Sequence, residues 1–211
     1  MNDSFYKENI ILLNEVIKKI EKILDEIKEE KEINGERNPI KYTTTRIKTE
    51  KSMKEKLKRK NLEVSLENAL AKVYDAAGVR VICEYIDDVY SIVERIKQYN
   101  EIEIIKEKDY IKNPKPNGYR SYHIVCRVPI NIKGKIYKTY VEIQIRTIAM
   151  DFWSSLEHQM KYKKNIKNQE IIVEELKRCA DENEDYPTSS LMDEYIETYG
   201  KKLWMLKQMK Q

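Results

Sequence analysis

Two acids, Asp75 and Glu142, stand in the β-rich middle of the sequence among many bases. No conventional nucleophile constellation accompanies them: GxSxG, HExxH and GxxxxGK[ST] are absent, and no Cys and His share a familiar catalytic spacing. Carboxylates with cations to hold phosphate fit metal-assisted phosphoryl transfer, because Mg²⁺ is bound through one or two carboxylates plus substrate phosphates. The protein's other tasks would be charge neutralisation, in-line alignment and a base near the attacking hydroxyl. Each acid also has a plainer reading. Asp75 precedes a turn, where an acid can simply shape the bend. Glu142 belongs to an alternating run for which, on pattern alone, a solvated strand face is the better reading.

The elements that would position these acids can be read around them. Across residues 137–158, Val141, Ile143 and Ile145 alternate with Glu142, Gln144 and Arg146, the period of a strand with one apolar face. Its apolar, aromatic sequel (Ile148, Met150, Phe152, Trp153, Leu156) predicts a buried helix running into Glu157 and His158. His158 suits a structural hydrogen bond as well as a site. Asp75-Ala76-Ala77-Gly78 leads into a buried strand over 79–83. Ahead of it, 42–45 is β-branched and extended, and Arg46 and Lys48 flank Ile47 so that a strand would aim both bases one way. A helix over about 52–59 carries Lys56 and Arg59, and a short helix follows over 66–74. A charge run of this kind is first a solvated face; its phosphate signal is secondary.

The stretch 108–123 is different in kind. It gathers Pro114, Pro116, Gly118, Lys112, Lys115, Arg120 and several tyrosines, Tyr119 and Tyr122 among them. Rigid backbone, cations and an aromatic face together describe a nucleotide pocket, with a ring stacked on a base while Lys and Arg hold phosphates.

Elsewhere, Ile10, Leu13, Ile17, Ile20, Leu24 and Ile27 repeat at steps of three and four, predicting a helix over 5–30 that Asn34-Gly35 ends. Such a seam packs on the chain's own core or on another subunit. Asp87 or Asp88 caps a helix to about 99. Strands follow near 102–106 and 124–130, the latter joined by a turn at Lys133-Gly134-Lys135 to the strand of Glu142. Two helices are expected beyond, over about 169–185 and 191–209, the last with a stripe of Tyr195, Tyr199, Leu203, Leu206 and Met209. The pattern is α+β: a mixed, largely antiparallel central sheet flanked by helices, with long N- and C-terminal helices. We expect one domain, with an N-terminal helix (1–35), a catalytic core (40–165) and C-terminal helices (166–211).

Composition narrows the class. In 211 residues, 36% are charged yet the formal net charge is only +4. The bases are concentrated locally, nine of them over 41–60 against Glu50 and Glu55, which suits a phosphate-rich ligand better than general attraction to DNA or membrane. Five Gly and five Pro argue against disorder and against an all-β fold. Cys83, Cys126 and Cys179 have no CxxC spacing and an odd number, as expected of reduced thiols in a cytoplasmic protein. No early apolar run is long enough for a signal peptide or membrane span, and a structural zinc site is not expected.

Three segments in order carry a resemblance: Asp75-Ala-Ala-Gly-Val-Arg80; Lys108-Asp-Tyr-Ile-Lys-Asn-Pro-Lys-Pro-Asn-Gly-Tyr-Arg-Ser-Tyr-His123; and Glu142-Ile-Gln-Ile-Arg-Thr147 with Trp153 and Glu157-His158. Together they resemble the RelA/SpoT synthetase domain, over roughly residues 10 to 180, and the size looks like a stand-alone small alarmone synthetase of the RelQ type. The resemblance implies a nucleotidyltransferase-like sheet. It also implies transfer of the β,γ-pyrophosphate of ATP to the ribose 3′-hydroxyl of GDP or GTP, giving ppGpp or pppGpp and AMP. By the same resemblance Asp75 holds Mg²⁺, and Glu142 acts on the 3′-hydroxyl as base or assists the metal. Arg46 and Arg80 sandwich the adenine, with Lys48, Lys56 and Arg59 on ATP phosphates. Tyr119 stacks on guanine, and Lys112, Lys115, Arg120 and His123 lie near the acceptor's phosphates. Gln144, Arg146 and His158 stand in a second tier. The family's larger members add a hydrolase domain with a His-Asp metal motif; neither His123 nor His158 is followed by Asp, so no hydrolase activity is expected. A homotetramer and allosteric (p)ppGpp are implied too, although the acidic segment after about Asp181, broken at Pro187, departs from the continuous terminal helix of that type. Two other classes stay open: a silent module binding single-stranded RNA or nucleotides through the same loop, and a nucleotidyltransferase releasing pyrophosphate instead of AMP.

Overall fold

A computed structural model of the chain describes residues 5–7, 9–162 and 178. They fall into two compact units: residues up to 109 with 121–146, and residues 110–120 with those from 147 onward. The helices expected over 169–185 and 191–209 lie outside the described residues.

The first unit is organised on a five-stranded sheet in the order β1-β2-β5-β4-β3. Its strands are β1 (Ile40–Ile47), β2 (Ala77–Cys83), β3 (Glu103–Asp109), β4 (Tyr122–Ile132) and β5 (Lys135–Thr147). The pairs β1/β2, β3/β4 and β4/β5 are antiparallel. The fold is α+β, as the element pattern predicts. α1 (Asn9–Ile33) precedes β1, α2 (Glu50–Arg59) and α3 (Leu66–Lys72) lie between β1 and β2, and α4 (Ile86–Lys97) lies between β2 and β3.

The alternation in the strands divides the sheet into two faces. Val79, Val81 and Cys83 of β2, Ile124, Cys126 and Val128 of β4, and Val141, Ile143 and Ile145 of β5 are all buried. α1 lies against β1, β2, β4 and α4, which decides the question its seam left open: the stripe packs on the chain's own sheet. Leu12, Val16 and Ile23 widen that stripe beyond the expected positions, the breadth that a helix on a sheet needs and a two-helix seam does not. The helix ends as Asn34-Gly35 predicts. Gly35 takes φ 70°, and the N–H groups of Asn34, Gly35 and Glu36 donate to the carbonyls of Glu30, Glu32 and Lys31.

Several boundaries differ from the sequence reading, each for a local reason. Tyr85, not an aspartate, is the N-cap residue of α4; Asp88 is its third residue, whose carboxylate accepts from the Tyr85 N–H at 3.1 Å. β1 stops at Ile47, so Lys48 does not share a strand face with Arg46 but sits in the link to α2, whose N-cap is Thr49. β3 runs on to Asp109, which makes Lys108 a strand residue, and His123 likewise belongs to β4. The β4–β5 turn is a two-residue loop with Lys133 at φ 52° and Gly134 at φ 81°, the left-handed pair that suits a tight hairpin.

In the second unit, Thr147 starts α5 (Ile148–Tyr162), its hydroxyl accepting from the Met150 N–H at 3.3 Å. The apolar run is not buried throughout. Met150 and Trp153 are covered, whereas Ile148 and Phe152, on another side of the helix, are about half exposed. The side chains of Leu156, Glu157 and His158 lie outside the described residues.

Candidate active site

The polar face of the sheet carries the predicted residues. Paired residues in an antiparallel ladder point to one face, and Arg46 pairs with Gly78 while Thr44 pairs with Arg80. The two arginines therefore stand on the same face of adjacent strands, two positions apart, with Gly78 in contact distance of Arg46. A Cβ built at Gly78 would come to 3.6 Å from Arg46 Cγ. These residues, with Thr44, Asp75, Glu142 and Gln144, line a cavity of about 270 Å³.

Asp75 lies at the turn before β2, where Lys48 and Lys56 converge on its Oδ2 at 3.2 and 2.6 Å. Both ammonium groups and the carboxylate are largely shielded from solvent. Asp75 Oδ1 is buried and has no hydrogen-bond partner among the described residues. A buried carboxylate oxygen of this kind suits a cation.

Glu142 is held from two sides. His123 Nδ1 is 3.4 Å from its Oε1, and Gln144 Nε2 donates to its Oε2 at 2.6 Å. Gln144 in turn accepts from Arg146 Nη2 at 2.8 Å, which fixes which end of the amide faces the acid. The second-tier residues thus form a chain, Arg146 to Gln144 to Glu142. Arg146, expected to share the accessible polar face, is buried at 1% exposure. Burial alone pushes the Glu142 carboxyl upward. Hydrogen bonding to and the charge of His123, the Gln144 amide and the charge of Lys56 outweigh that and hold it at about 2.

A second cavity, of about 130 Å³, shares Asp75 and Glu142 with the first. It is lined by Lys56, Lys60, Lys106, Lys108 and His123 together with Tyr74 and Val125. The ladder explains the gathering: Lys108 pairs with His123, which pairs with Gln144, and Lys106 pairs with Val125, which pairs with Glu142. Lys60, Lys106, Lys108 and Tyr74 are site residues that the sequence reading missed. Lys106 and Lys108 did carry a signal, two bases at a spacing of two ahead of the loop. Lys60 follows Lys56 by one helical turn. Arg59 is exposed and lines neither of these cavities.

Four of the expected acceptor residues belong to the second unit. There the Lys115 ammonium lies over the rings of Tyr110 and Tyr119, at 4.7 and 4.6 Å from their centroids. The Gly118 N–H donates to the Lys115 carbonyl at 2.8 Å, with Gly118 at φ 75°. Arg120 Nη1 donates to the Ile111 carbonyl at 3.1 Å, and Lys112 is exposed. Tyr119 and its neighbours thus form a folded aromatic and cationic loop.

The same architecture recurs in known proteins. The crystal structure of small alarmone synthetase 2 from Bacillus subtilis superposes with a TM-score of 0.70 at 37% identity, covering 90% of this chain and 98% of that one. Small alarmone synthetase 1 from the same organism, bound to its product pppGpp, gives 0.71 at 28% identity, covering 93% and 97%. In sequence, GTP pyrophosphokinase YwaC of Bacillus subtilis (strain 168) is 45% identical over 144 residues, 68% of this chain and 69% of that protein. YjbM, also a GTP pyrophosphokinase of that strain, is 31% identical over 163 residues, 77% and 76%. Residues 45–167, from the end of β1 to just beyond α5 and so including both carboxylates, match the region found in RelA / SpoT proteins. The chain belongs to the RelA/SpoT family.

Proposed function

We propose that this protein is a GTP diphosphokinase, transferring the β,γ-pyrophosphoryl group of ATP to the ribose 3′-hydroxyl of GDP or GTP and releasing AMP. The observation that carries the reading is the pair of cavities meeting at Asp75 and Glu142, one flanked by Arg46 and Arg80, the other lined by four lysines and His123. Flat guanidinium groups suit a purine face, and ammonium groups suit phosphate oxygens. In the transfer, the acceptor 3′-oxygen bonds to the β-phosphorus of ATP, the bond from that phosphorus to the α–β bridging oxygen breaks, and AMP leaves with that oxygen. Glu142 accepts a hydrogen bond from the 3′-hydroxyl and orients it, and the hydroxyl proton passes through the carboxylate to solvent. Lys48 and Lys56 hold the donor's phosphates beside Asp75. Tyr119 takes the guanine, with Lys112, Lys115, Arg120 and His123 toward the acceptor's phosphates.

The donor set fits Mg²⁺. Among the described residues there is no cluster of three or more potential metal ligands, but Mg²⁺ uses one or two carboxylates plus substrate phosphates. Asp75 Oδ1 is the oxygen available for it, and Glu142 lines the same two cavities as Asp75. Bound there, Mg²⁺ would neutralise phosphate charge.

Purified protein with ATP, Mg²⁺ and GDP or GTP should yield AMP and a 3′-pyrophosphorylated guanine nucleotide; its absence from folded protein overturns the reading. Glu142→Gln should lower kcat by about 10²–10⁴-fold while sparing nucleotide affinity, and unchanged turnover would reject its role. A cytoplasmic homo-oligomer belongs to the same proposal, and light scattering on the eluted protein tests the assembly.

A further inference from the structure

Residues 5–7 form a hook ahead of α1. Lys7 takes φ 49°, and the Asn9 and Ile10 N–H groups donate to the carbonyls of Tyr6 and Lys7. The turn tucks Tyr6 inward until its side chain is fully buried. Its hydroxyl donates to the Lys48 carbonyl at 2.7 Å, across 42 residues of sequence. Phe5 meets the Tyr6 ring edge-on at 5.3 Å, and Lys54 of α2 lies over the Phe5 ring.

Lys48 is one of only two residues linking β1 to α2. Its N–H donates to the carbonyl of Ala76, next in sequence to Asp75, at 2.9 Å. Its carbonyl is the group that Tyr6 holds. The backbone of Lys48 is therefore held on both sides of its Cα, and from this fixed base the Lys48 ammonium reaches Asp75 Oδ2. A buried phenylalanine would fill the same space, so the hydroxyl is the informative atom: it acts on the backbone of a residue at the site.

We propose that Tyr6 is a positioning residue for the transfer: through the Lys48 carbonyl it sets the Lys48 ammonium against Asp75 and so places the phosphate end of ATP. The proposal rests on the function inferred above. It also makes the hook ahead of α1 part of the donor site, although Tyr6 itself lines neither cavity.

The test is Tyr6→Phe in the full chain, which removes one oxygen and keeps the ring. The lost hydrogen bond should lower kcat/KM for ATP by about five- to tenfold, with KM for GTP unchanged. Affinity for a non-hydrolysable ATP analogue, measured by calorimetry, should fall by a similar factor. A purely structural Tyr6 would instead reduce the folded fraction and leave ATP affinity per folded molecule intact, which would overturn the proposal. Product formation by the unaltered protein is scored separately. Its absence refutes the function reading alone, while equal analogue affinity in the two proteins refutes the role of Tyr6 whatever the product assay gives.

Discussion

Glu142 shows how a residue's chemistry is set by what surrounds it. Burial would favour the neutral acid, yet His123, Gln144 and Lys56 hold its carboxyl at about 2, so it is ionised throughout the neutral range. A carboxylate so stabilised is a weak base, so in the proposed transfer it would first orient the hydroxyl and take its proton only as the 3′-oxygen bonds to phosphorus. The sign of its effect on stability follows. The folded value lies below the unfolded one of about 4.3, so the contribution is complete above that pH and is lost as pH falls toward 2. Denaturant unfolding should therefore find Glu142→Gln less stable at neutral pH, by on the order of 2 kcal/mol, with the gap closing between about pH 4 and pH 2. A gap independent of pH would mean the carboxylate is not held by charge. Residue types here were legible from sequence. The partners were not, because the Arg146-Gln144-Glu142 chain depends on how a buried guanidinium folds back along its own strand.

The β4–β5 hairpin decides which residues face the site. Its ladder sets Val125 opposite Glu142 and His123 opposite Gln144, and a slip of one residue would turn Glu142 into the apolar face. The turn pins that register with two left-handed residues, of which only Gly134 is suited to it. Asn131 Oδ1 accepts from the Gly134 N–H at 2.9 Å and braces the loop. Nothing lies within 4 Å of a Cβ placed on Gly134, so Gly134→Ala should cost only conformational strain, about 1 kcal/mol. Lys133→Asn should gain about 0.5–1 kcal/mol, since Asn tolerates φ above zero better than Lys. Thermal unfolding checks both, and the kinetic constants should stay put. The alternation in β5 and the Lys-Gly turn were readable because both are local signals. The extent of β3 was not: its charged residues have low strand propensity, and only pairing with β4 makes them a strand.

At the scale of the molecule, the sheet separates a packed side from a chemical one. The alternating pattern revealed that there were two faces. The strand order, which brings Lys106 and Lys108 of β3 into a row with His123 of β4 and Glu142 of β5, is a long-range fact that no local pattern encodes. The hook of Tyr6 escaped for the same reason, a contact between residues 42 apart. The two described cysteines test the packed side. Cys83 of β2 and Cys126 of β4 are fully covered. Burial raises both thiols, helped at Cys83 by Asp88 and at Cys126 by Glu107, the latter to about 12. Thiolate is the reactive form, so neither sulfur should attack a disulfide reagent at about pH 8 while the sheet is intact. Because the two lie on separate strands of one core, a single global opening should expose both. In a Cys179→Ser background, native protein should therefore leave both thiols unmodified, and denaturant should release them together along the unfolding curve seen by circular dichroism. If Cys126 reacted well before Cys83, β3 and β4 would be opening without β2, and the sheet would not be one cooperative unit.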